Sequence, residues 1–246
     1  MNLVVVVLER EPGLVAQDGW AIDEARGGES SWWPMLKRCF DVALAALLLL
    51  AMLPILICVA VAIKIDSPGP VFYRVRRVRH RGGSFLMLKF RKMYDGASGG
   101  PLTQVADPRL TRVGALLTRT RLDELPQMWD VLRGRMSIIG PRPEDPYFVE
   151  LHRDAYERIL SVRPGITGIT QLAYARESEI LDPEDPVEDY VRRIMPQKLL
   201  LDTLYTERTN LRLDVAVLRW TLVALLLRSP VAVDRSTAKM RVRRRG

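Results

Sequence analysis

The sequence is poor in cysteine, with only Cys39 and Cys58 among its 246 residues. Both lie at or inside one apolar run, so the sequence offers no disulfide framework and fits a reducing compartment. The opening residues, MNLVVVVLEREPG, have no basic segment ahead of their apolar stretch, which argues against a cleavable signal peptide. Internal repeats and long low-complexity segments are also missing from the sequence. Its length fits one sizeable domain with attachments.

The charge is unbalanced in the positive direction. The 37 Lys and Arg residues exceed the 29 Asp and Glu residues, which gives a formal net charge of +8 at pH 7 and a pI of about 9.8. That balance favours anionic partners, namely nucleic acid, phosphorylated small molecules or the inner face of a membrane. Charge alone does not choose among these three classes.

One strongly apolar run, residues 40–63, is long enough for a transmembrane helix. Pro54 lies near its middle, where it removes a helical hydrogen bond and favours a kink. Basic residues flank the run on both sides: Lys37, Arg38, Lys64, Arg74, Arg76, Arg77, Arg79 and Arg81. Because basic flanks tend to stay in the cytoplasm, we predict a re-entrant membrane helix that is broken near Pro54 and returns to the face it entered. A single span and a buried helical hairpin in a soluble core are the alternatives.

The sequence after this run combines a strand pattern with helical patterns. Residues 71–93 alternate apolar and basic side chains around a Gly-Gly pair, which is typical of a hairpin with one cationic face. Later segments have helical periodicity, so the predicted class is α+β and mainly helical. Residues 213–227 are very apolar and could lie on the membrane or fill the core. The predicted parts are an N-terminal extension (1–33), the re-entrant helix (34–65), a cytosolic domain (66–230) and a basic tail (231–246).

The most informative segment, residues 118–143, places Asp123 and Glu124 side by side ahead of Pro126, which suits a first helical turn. Adjacent residues on a helix point about 100° apart, so the two carboxylates cannot face each other across a bond as a glycosidase pair does. A helix N-terminus favours anions, including phosphate. A divalent cation could bridge the carboxylates to a diphosphate, or one carboxylate could be a nucleophile.

Cations near this pair could bind phosphate oxygens: Arg119, Arg121, Arg135 and Arg142. A structural interpretation competes with the catalytic one. Acidic residues are common in first helical turns, and such pairs often form surface salt bridges. In the same way, Arg142 between two prolines and Arg163 ahead of Pro-Gly could each serve only to stabilise a turn.

Several motifs occur together in a fixed order along the chain. They are KRCFD, the apolar run, SPGPVFYRVRRVRHRG, LKFRKM, DPRLTRVG, RLDELPQMWDVLRGRMSIIGPRP, VRPGITGITQL and LYTERTNLRLDVAVL. With them the chain resembles the bacterial sugar transferases, the monotopic polyprenyl-phosphate phosphoglycosyl transferases, from about Lys37 to about Leu222. The combination of LDELPQ, a nearby GPRP and then RPGITG is the specific part of the match.

The resemblance implies an activity and the residues that carry it. Members transfer a phosphosugar from a nucleotide-diphosphate sugar, usually a UDP-sugar, to polyprenyl phosphate, giving polyprenyl-diphosphate-sugar and UMP. This is the first membrane step of exopolysaccharide or other surface glycan synthesis. By the resemblance, Asp123 attacks the β-phosphorus and carries the phosphosugar covalently. Glu124 helps to hold magnesium (Mg²⁺) or manages a proton, so the implied metal ligands are Asp123 and Glu124.

Basic motifs of the family match further positions, which the resemblance implies as ligands of substrate phosphates: Lys89, Arg91, Arg109, Arg119, Arg142 and Arg163. Many members have an arginine five residues before the aspartate, where this chain has Thr118. Arg119 or Arg121 is the replacement that the sequence offers. Residues 169–171 are Ile-Thr-Gln where many members have Trp-Ala-Gln, which leaves the sugar specificity open.

The resemblance also implies a location. The family's globular part is cytosolic and rests on the membrane through amphipathic helices, which here means the cytoplasmic face of the bacterial inner membrane. The implied partners are the nucleotide-diphosphate sugar, polyprenyl phosphate and membrane lipids, with no nucleic acid, and a homodimer is compatible with the sequence. Larger members have extra N-terminal membrane helices, and we expect this chain to correspond to the minimal form without them. Its helix break is Leu53-Pro54, where the family often has Ser-Pro.

Two other functions compete with the enzyme. A membrane-tethered protein that binds nucleic acid or another polyanion could use residues 74–92 as its basic surface. That function explains the charge but gives Asp123 and Glu124 no role. An inactive scaffold in a polysaccharide-assembly complex is the third hypothesis, and the intact acidic pair argues against it.

Overall fold

The computed structural model describes residues 32–100, 102–104, 107–227, 231–234 and 237–242. The helices are α1 (Trp32–Asp66), α2 (Arg112–Thr120), α3 (Met128–Leu132), α4 (Pro146–Leu151), α5 (Arg153–Ile159), α6 (Ile169–Ala173), α7 (Pro186–Asp189), α8 (Met195–Arg208) and α9 (Leu211–Leu227). The strands are β1 (Phe72–Val78), β2 (Ser84–Phe90), β3 (Ser137–Ile139), β4 (Gly165–Thr167), β5 (Val231–Val233) and β6 (Met240–Val242). This content confirms a mainly helical protein with a smaller sheet fraction. Nearly all of the predicted N-terminal extension lies outside the described residues.

Helix α1 contains the apolar run and is helical throughout, with Pro54 inside it. By length and composition it could cross a membrane, because Trp33–Asp66 has a mean hydropathy of 3.0 and few buried residues. Large apolar side chains such as Leu47, Leu50 and Ile57 are more than half exposed. The helix does not stop at Pro54, since the loss of one hydrogen bond can kink a helix without ending it. The re-entrant path therefore stays a prediction.

The N-terminal end of α1 contacts the globular part through the polar residues of the KRCFD motif. Lys37 Nζ forms an ion pair with Asp214 Oδ2 of α9 at 2.5 Å. Asp41, which is almost fully buried, accepts a hydrogen bond from Ser137 Oγ of β3 at 2.7 Å. Arg38 donates to two carbonyl oxygens at the end of α3. The motif therefore attaches the start of α1 to three separate elements.

The C-terminal end of α1 contacts the same globular part at another place. Ile63 is buried in a small apolar cluster with Phe90 of β2 and Leu117 of α2. Asp66 Oδ2 accepts a hydrogen bond from the Val113 backbone N–H of α2 at 2.9 Å. Both ends of the apolar helix are thus attached to one folded body, while the apolar residues between them are largely exposed.

Strands β1 and β2 form the predicted antiparallel hairpin, with Val75 opposite Met87. Phe85 and Met87 point into the core, and the alternate positions Arg74 and Arg76 on β1 are exposed. This alternation follows from the period of two along a strand. It confirms the hairpin with a cationic face, and strand β2 continues towards the acidic pair.

Strands β3 and β4 form a short parallel pair that brings the GPRP and RPGITG segments together. Their backbones approach closely at two glycines, because the Gly165 backbone N–H donates to Pro141 O at 2.7 Å. A Cβ atom added to Gly165 would lie 2.1 Å from the Gly140 nitrogen. Only glycine fits this contact, which explains why both motifs carry one.

Replacement of Gly165 by alanine should separate these two segments and destabilise the protein strongly. The new methyl group would meet backbone atoms, which cannot move aside as a side chain can. We expect a loss of about 3 kcal/mol, measured as a fall in the melting temperature of about 6 °C or more by circular dichroism in detergent. Gly100→Ala is the matched control, because a Cβ atom there has no neighbour within 4 Å. Equal melting of the two variants would contradict the close approach.

The C-terminal part of the chain divides between core and surface. In α9, Val217 is fully buried whereas Leu222 and Leu225 are about half exposed, so this apolar helix fills the core with one face and exposes apolar residues on the other. Part of the predicted basic tail also belongs to the folded body. Strand β5 pairs with β6 in antiparallel fashion, and Val231 is buried in the main core. The segment was predicted as a basic tail, but residues 231–233 are apolar and pair with β6, and for this reason they pack on the core.

Candidate active site

The acidic pair lies in a short 3₁₀ helix, Leu122–Gln127, which follows α2. Arg121, at the junction, has a left-handed backbone with φ of 59° and turns the chain between the two helices. Asp123 and Glu124 occupy the first turn, and Pro126 follows inside it. The predicted helix start is therefore present, although its first turn is the tighter 3₁₀ form, which is common at helix ends.

Glu124 is held by two cations that come from distant parts of the chain. Its Oε1 accepts hydrogen bonds from Lys89 Nζ of β2 and from an Arg142 guanidinium nitrogen, each at 3.1 Å. All three side chains are largely buried, with Glu124 only 12% exposed. Burial alone would raise the pKa of Glu124, but Lys89 and Arg142 outweigh it and hold that pKa well below the usual range. Glu124 is therefore ionised at neutral pH.

Asp123 has a different environment from its neighbour. It is only 4% exposed, and no side chain or backbone N–H in the described residues donates a hydrogen bond to its carboxylate. Burial, and next the charge of Glu124, raise the pKa of Asp123, and Lys89, Lys92 and Arg121 offset part of that rise. Two adjacent carboxylates whose pKa values move apart are suited to different chemical roles. Asp123 has its oxygens available for a substrate, whereas Glu124 is already bound by cations.

Lys92 is a cation near Asp123 that was not among the implied phosphate ligands. Its side chain is partly buried, burial lowers its pKa, and Asp123 is the strongest of the carboxylates acting on it. Its backbone is fixed, because Thr111 N–H donates to Lys92 O at 3.0 Å and a Cβ atom on Gly114 would meet that same oxygen. The LKFRKM motif could have indicated Lys92, because its two lysines, Lys89 and Lys92, are three residues apart.

The structure brings only Lys89 and Arg142, of the six predicted phosphate ligands, into contact with the acidic pair. Arg91 is buried and donates to the Ser67 and Pro68 carbonyl oxygens below the end of α1. Arg109 forms an ion pair with Asp107 at 2.6 Å and donates to two loop carbonyls.

Arg119 and Arg163 also make no contact with the acidic pair within the described residues. Arg119 is exposed near the end of α2, and Arg163 donates to Gly134 O at 3.2 Å. The charge of Arg121, the other replacement that the sequence offers for the family arginine, lowers the pKa of both acidic residues. The roles of Arg91, Arg109, Arg119 and Arg163 as phosphate ligands stay predictions.

The acidic pair could take part in a shared magnesium site. Among the described residues no group of three or more His, Cys, Asp or Glu side chains could hold a metal ion by itself. Magnesium is commonly held by one or two carboxylates together with substrate phosphates. The Asp123 carboxylate and the Oε2 atom of Glu124 accept no hydrogen bond from the described residues, so both fit such an ion once a diphosphate is present.

Comparison with known proteins gives a consistent family. The family model described as bacterial sugar transferase matches residues 32–228. The chain is 36% identical over 217 residues to a UDP-glucose:undecaprenyl-phosphate glucose-1-phosphate transferase of Xanthomonas campestris pv. campestris, covering 83% of this chain and 42% of that protein. It is 42% identical over 168 residues to the protein of the same name from Escherichia coli (strain K12), covering 64% and 36%.

A third relative has almost the same extent as this chain. The exopolysaccharide production protein ExoY of Rhizobium meliloti (strain 1021) is 32% identical over 229 residues, which cover 86% of this chain and 95% of that protein. By contrast, the chain spans less than half the length of the two transferases named above. The family match covers α1, the hairpin, the acidic pair and the glycine contact together. The chain belongs to the bacterial sugar transferase family.

Proposed function

We propose that this chain is a phosphoglycosyl transferase that moves a phosphosugar from a nucleotide-diphosphate sugar, with a UDP-sugar as the donor class, to polyprenyl phosphate. The observation that carries the proposal is the environment of Asp123. This carboxylate is buried and accepts no hydrogen bond from the described residues, and Glu124 beside it is ion-paired to Lys89 and Arg142. Relatives named as undecaprenyl-phosphate sugar-phosphate transferases support the reaction class. The pathway that we infer is the first membrane step of exopolysaccharide synthesis, as the name of the ExoY relative suggests.

The reaction proceeds in two displacements at one phosphorus atom. An Asp123 carboxylate oxygen attacks the β-phosphorus of the donor, and the bond between that phosphorus and the bridging oxygen breaks. UMP leaves with the bonding electron pair, and the phosphosugar stays on Asp123 as an acyl phosphate. An oxygen of polyprenyl phosphate then attacks the same phosphorus, which releases the Asp123 carboxylate and forms polyprenyl-diphosphate-sugar.

The cations around the pair stabilise negative charge that moves during both steps. Lys89 and Arg142 are fixed in position by Glu124 before a substrate arrives, which is the preorganisation that phosphoryl transfer requires. Lys92 provides a further ammonium group on the side of Asp123. Magnesium, when bound by Asp123 and Glu124, would neutralise charge on the diphosphate. The polyanion-binding alternative gives Asp123 and Glu124 no role.

Contacts at both ends of α1 support a re-entrant path in the membrane. Asp41 near its start and Asp66 at its end both accept hydrogen bonds from the globular part. A helix that crosses a bilayer once has its two ends separated by about 30 Å of hydrocarbon, so one folded body could not contact both. We infer that the globular part lies on the cytoplasmic face of the inner membrane, where a lipid phosphate acceptor can reach the site.

Cysteine labelling in spheroplasts should distinguish the two topologies. With Cys39 and Cys58 replaced by serine, single cysteines at Met35 and Tyr73 provide exposed positions before and after the apolar run. A re-entrant helix predicts that a membrane-impermeant maleimide labels both positions only after the inner membrane is opened. Labelling of one position, and not the other, in intact spheroplasts would establish a single span and contradict the proposed topology.

Release of UMP tests the proposed activity. The full chain is purified in detergent and incubated with Mg²⁺, polyprenyl phosphate and a panel of UDP-sugars. We expect UMP from at least one donor, with continued turnover only when the lipid phosphate is present. Salt-sensitive binding of nucleic acid without UMP release from any donor would contradict the enzyme and favour the polyanion-binding alternative.

A further inference from the structure

Glu144, Tyr190 and Lys198 form a second buried polar cluster, and Glu144 lies two residues after Arg142 in the chain. The Tyr190 hydroxyl donates to Glu144 Oε2 at 2.8 Å, and Lys198 Nζ donates to the Tyr190 oxygen at 2.7 Å. Tyr190 is 1% and Lys198 is 5% exposed. Lys198 also forms an ion pair with Glu177 at 2.9 Å and lies 3.7 Å from Glu144 Oε2. None of these residues belongs to the sequence motifs that contain the proposed catalytic groups.

The segment PRPEDP, residues 141–146, connects this cluster to the active site. Arg142 and Asp145 each precede a proline, which disfavours helical backbone and keeps the segment extended. Asp145 is extended, with φ of −68° and ψ of 139°. Pro143 alone separates Glu144 from Arg142, and its ring fixes the φ angle between them. The placement of Glu144 therefore constrains the backbone from which the Arg142 side chain extends.

Glu144 is fixed through both its backbone and its side chain. Its carbonyl oxygen accepts a hydrogen bond from the Val78 N–H at the end of β1, at 3.1 Å. The neighbouring Asp145 forms an ion pair with Arg77 at 2.8 Å. The Glu144 carboxylate accepts two hydrogen bonds, from the Asp145 backbone N–H on Oε1 at 3.1 Å and from the Tyr190 hydroxyl on Oε2, and together they determine its direction. A buried ion of this kind keeps a defined orientation only while its hydrogen bonds are intact.

The helix that supplies Tyr190 has an unusual geometry. Tyr190–Ile194 is a π-helical turn between α7 and α8, and such turns are frequent at functional sites. The Lys198 ammonium lies 4.6 Å from the centre of the Tyr190 ring. Phe148 packs against the Tyr190 ring at an angle of 52°, with centroids 4.8 Å apart. The ring is therefore fixed by packing, and its hydroxyl contacts both the Lys198 ammonium and the Glu144 carboxylate.

Arg142 contacts Glu124 and also responds to the charges of two other carboxylates. Glu124 is the largest influence that raises the pKa of Arg142, and Glu144 and Glu177 also raise it, while burial opposes them. Lys198 pairs with Glu177 and lies close to Glu144, so it reduces the attraction of both for Arg142. Without Lys198 we expect the guanidinium to move away from Glu124 and towards Glu144.

We propose that Glu144, Tyr190 and Lys198 are positioning residues, which orient residues 142–144 so that the Arg142 guanidinium binds Glu124. The inference rests on the proposed function, because its readout is the transfer reaction. It assigns a role in catalysis to three residues that do not touch the substrate. Their effect reaches the reaction through Arg142 alone.

The test compares two Tyr→Phe variants from the same apolar cluster. Tyr190→Phe removes the hydroxyl that binds Glu144, whereas Tyr156→Phe removes a buried hydroxyl with no hydrogen bond to a described residue. We expect Tyr190→Phe to lower kcat for UMP release about tenfold, the effect of one lost hydrogen bond to a buried charge. The KM for the donor should stay within about twofold, and Tyr156→Phe should retain the wild-type kcat.

A second pair of variants keeps the inference testable if a tyrosine variant is unstable. Lys198→Arg keeps the positive charge and should retain most of kcat, whereas Lys198→Met removes it and should lose about tenfold. Equal kcat values for Lys198→Arg and Lys198→Met, or equal values for Tyr190→Phe and Tyr156→Phe, in an active wild-type background would overturn the inference alone. A wild-type protein that releases no UMP would overturn the proposed function, and the inference with it.

Discussion

Replacement of Asp123 by asparagine should abolish UMP release, with a rate at least about 10,000-fold below that of the wild type. Asparagine has almost the same shape, but its amide cannot attack phosphorus. The substitution removes a buried carboxylate that accepts no hydrogen bond from the described residues, so it leaves no donor there unpaired. The variant should therefore fold normally, and its loss of activity is a loss of chemistry.

Two measurements separate this result from damage to the fold. The melting temperature of Asp123→Asn should equal or exceed that of the wild type, because burial and the charge of Glu124 disfavour the Asp123 carboxylate in the folded state. Asp154→Asn makes the same chemical change at an exposed position of α5 and should keep full activity. Retention of UMP release by Asp123→Asn would mean that another residue is the nucleophile.

Replacement of Lys89 or of Arg142 by methionine should lower kcat about 100- to 1,000-fold, the usual effect of one lost group that stabilises transition-state charge. Each change also leaves Glu124 with a single cationic partner in a buried site. Arg192→Met removes a positive charge from an exposed pair on the protein surface and is the control. An equal loss in Arg192→Met would indicate that only the net charge of the chain matters.

The same variants should change the pH dependence in a defined direction. In the wild type the folded-state pKa of Glu124 lies below its ordinary value of 4.5, so its ion pairs contribute stability above that pH and lose the contribution as pH falls. The groups facing Glu124 are Lys89, Arg142 and Arg121, with Asp123 beside it. Without Lys89, less positive charge offsets the effect of burial on Glu124, so the pKa of Glu124 rises. Lys89 also lowers the pKa of the nucleophile Asp123, so its removal raises that pKa as well. The acid limb of kcat/KM, which Asp123 sets because its pKa is the higher of the two, should therefore move to higher pH in Lys89→Met, and an unchanged limb would contradict the assignment.

Local patterns were sufficient to predict several parts of the structure. The alternation of apolar and basic residues predicted the β1–β2 hairpin, and Pro126 predicted the helical turn that carries the acidic pair. The contacts of Glu124 could not be read from local pattern, because its partners Lys89 and Arg142 lie 35 and 18 positions away in sequence. The resemblance to the family selected both residues, and tertiary structure was needed to find the oxygen that they share.

Other assignments depended on where a strand or helix ends. The resemblance implied Arg91 as a phosphate ligand along with Lys89, but β2 ends at Phe90 and the Arg91 side chain turns towards the end of α1. Lys92 then lies near Asp123, which periodicity within the strand does not predict. The Tyr190–Lys198 contact depends on a π-helical turn, for which the sequence carries no simple pattern. The re-entrant membrane path was predicted from charge. The contacts at both ends of α1 that support it join residues far apart in sequence, so local pattern could not give them.

The mass of the intact protein after incubation with a donor tests the central claim most directly. The full chain is mixed with Mg²⁺ and a UDP-sugar that supports turnover, without polyprenyl phosphate. The account predicts a mass increase equal to one phosphosugar, located on the peptide that contains Asp123, together with one equivalent of UMP. Addition of polyprenyl phosphate should remove the adduct. UMP that forms only when both substrates are present, with no adduct on any peptide, would contradict a covalent intermediate on Asp123.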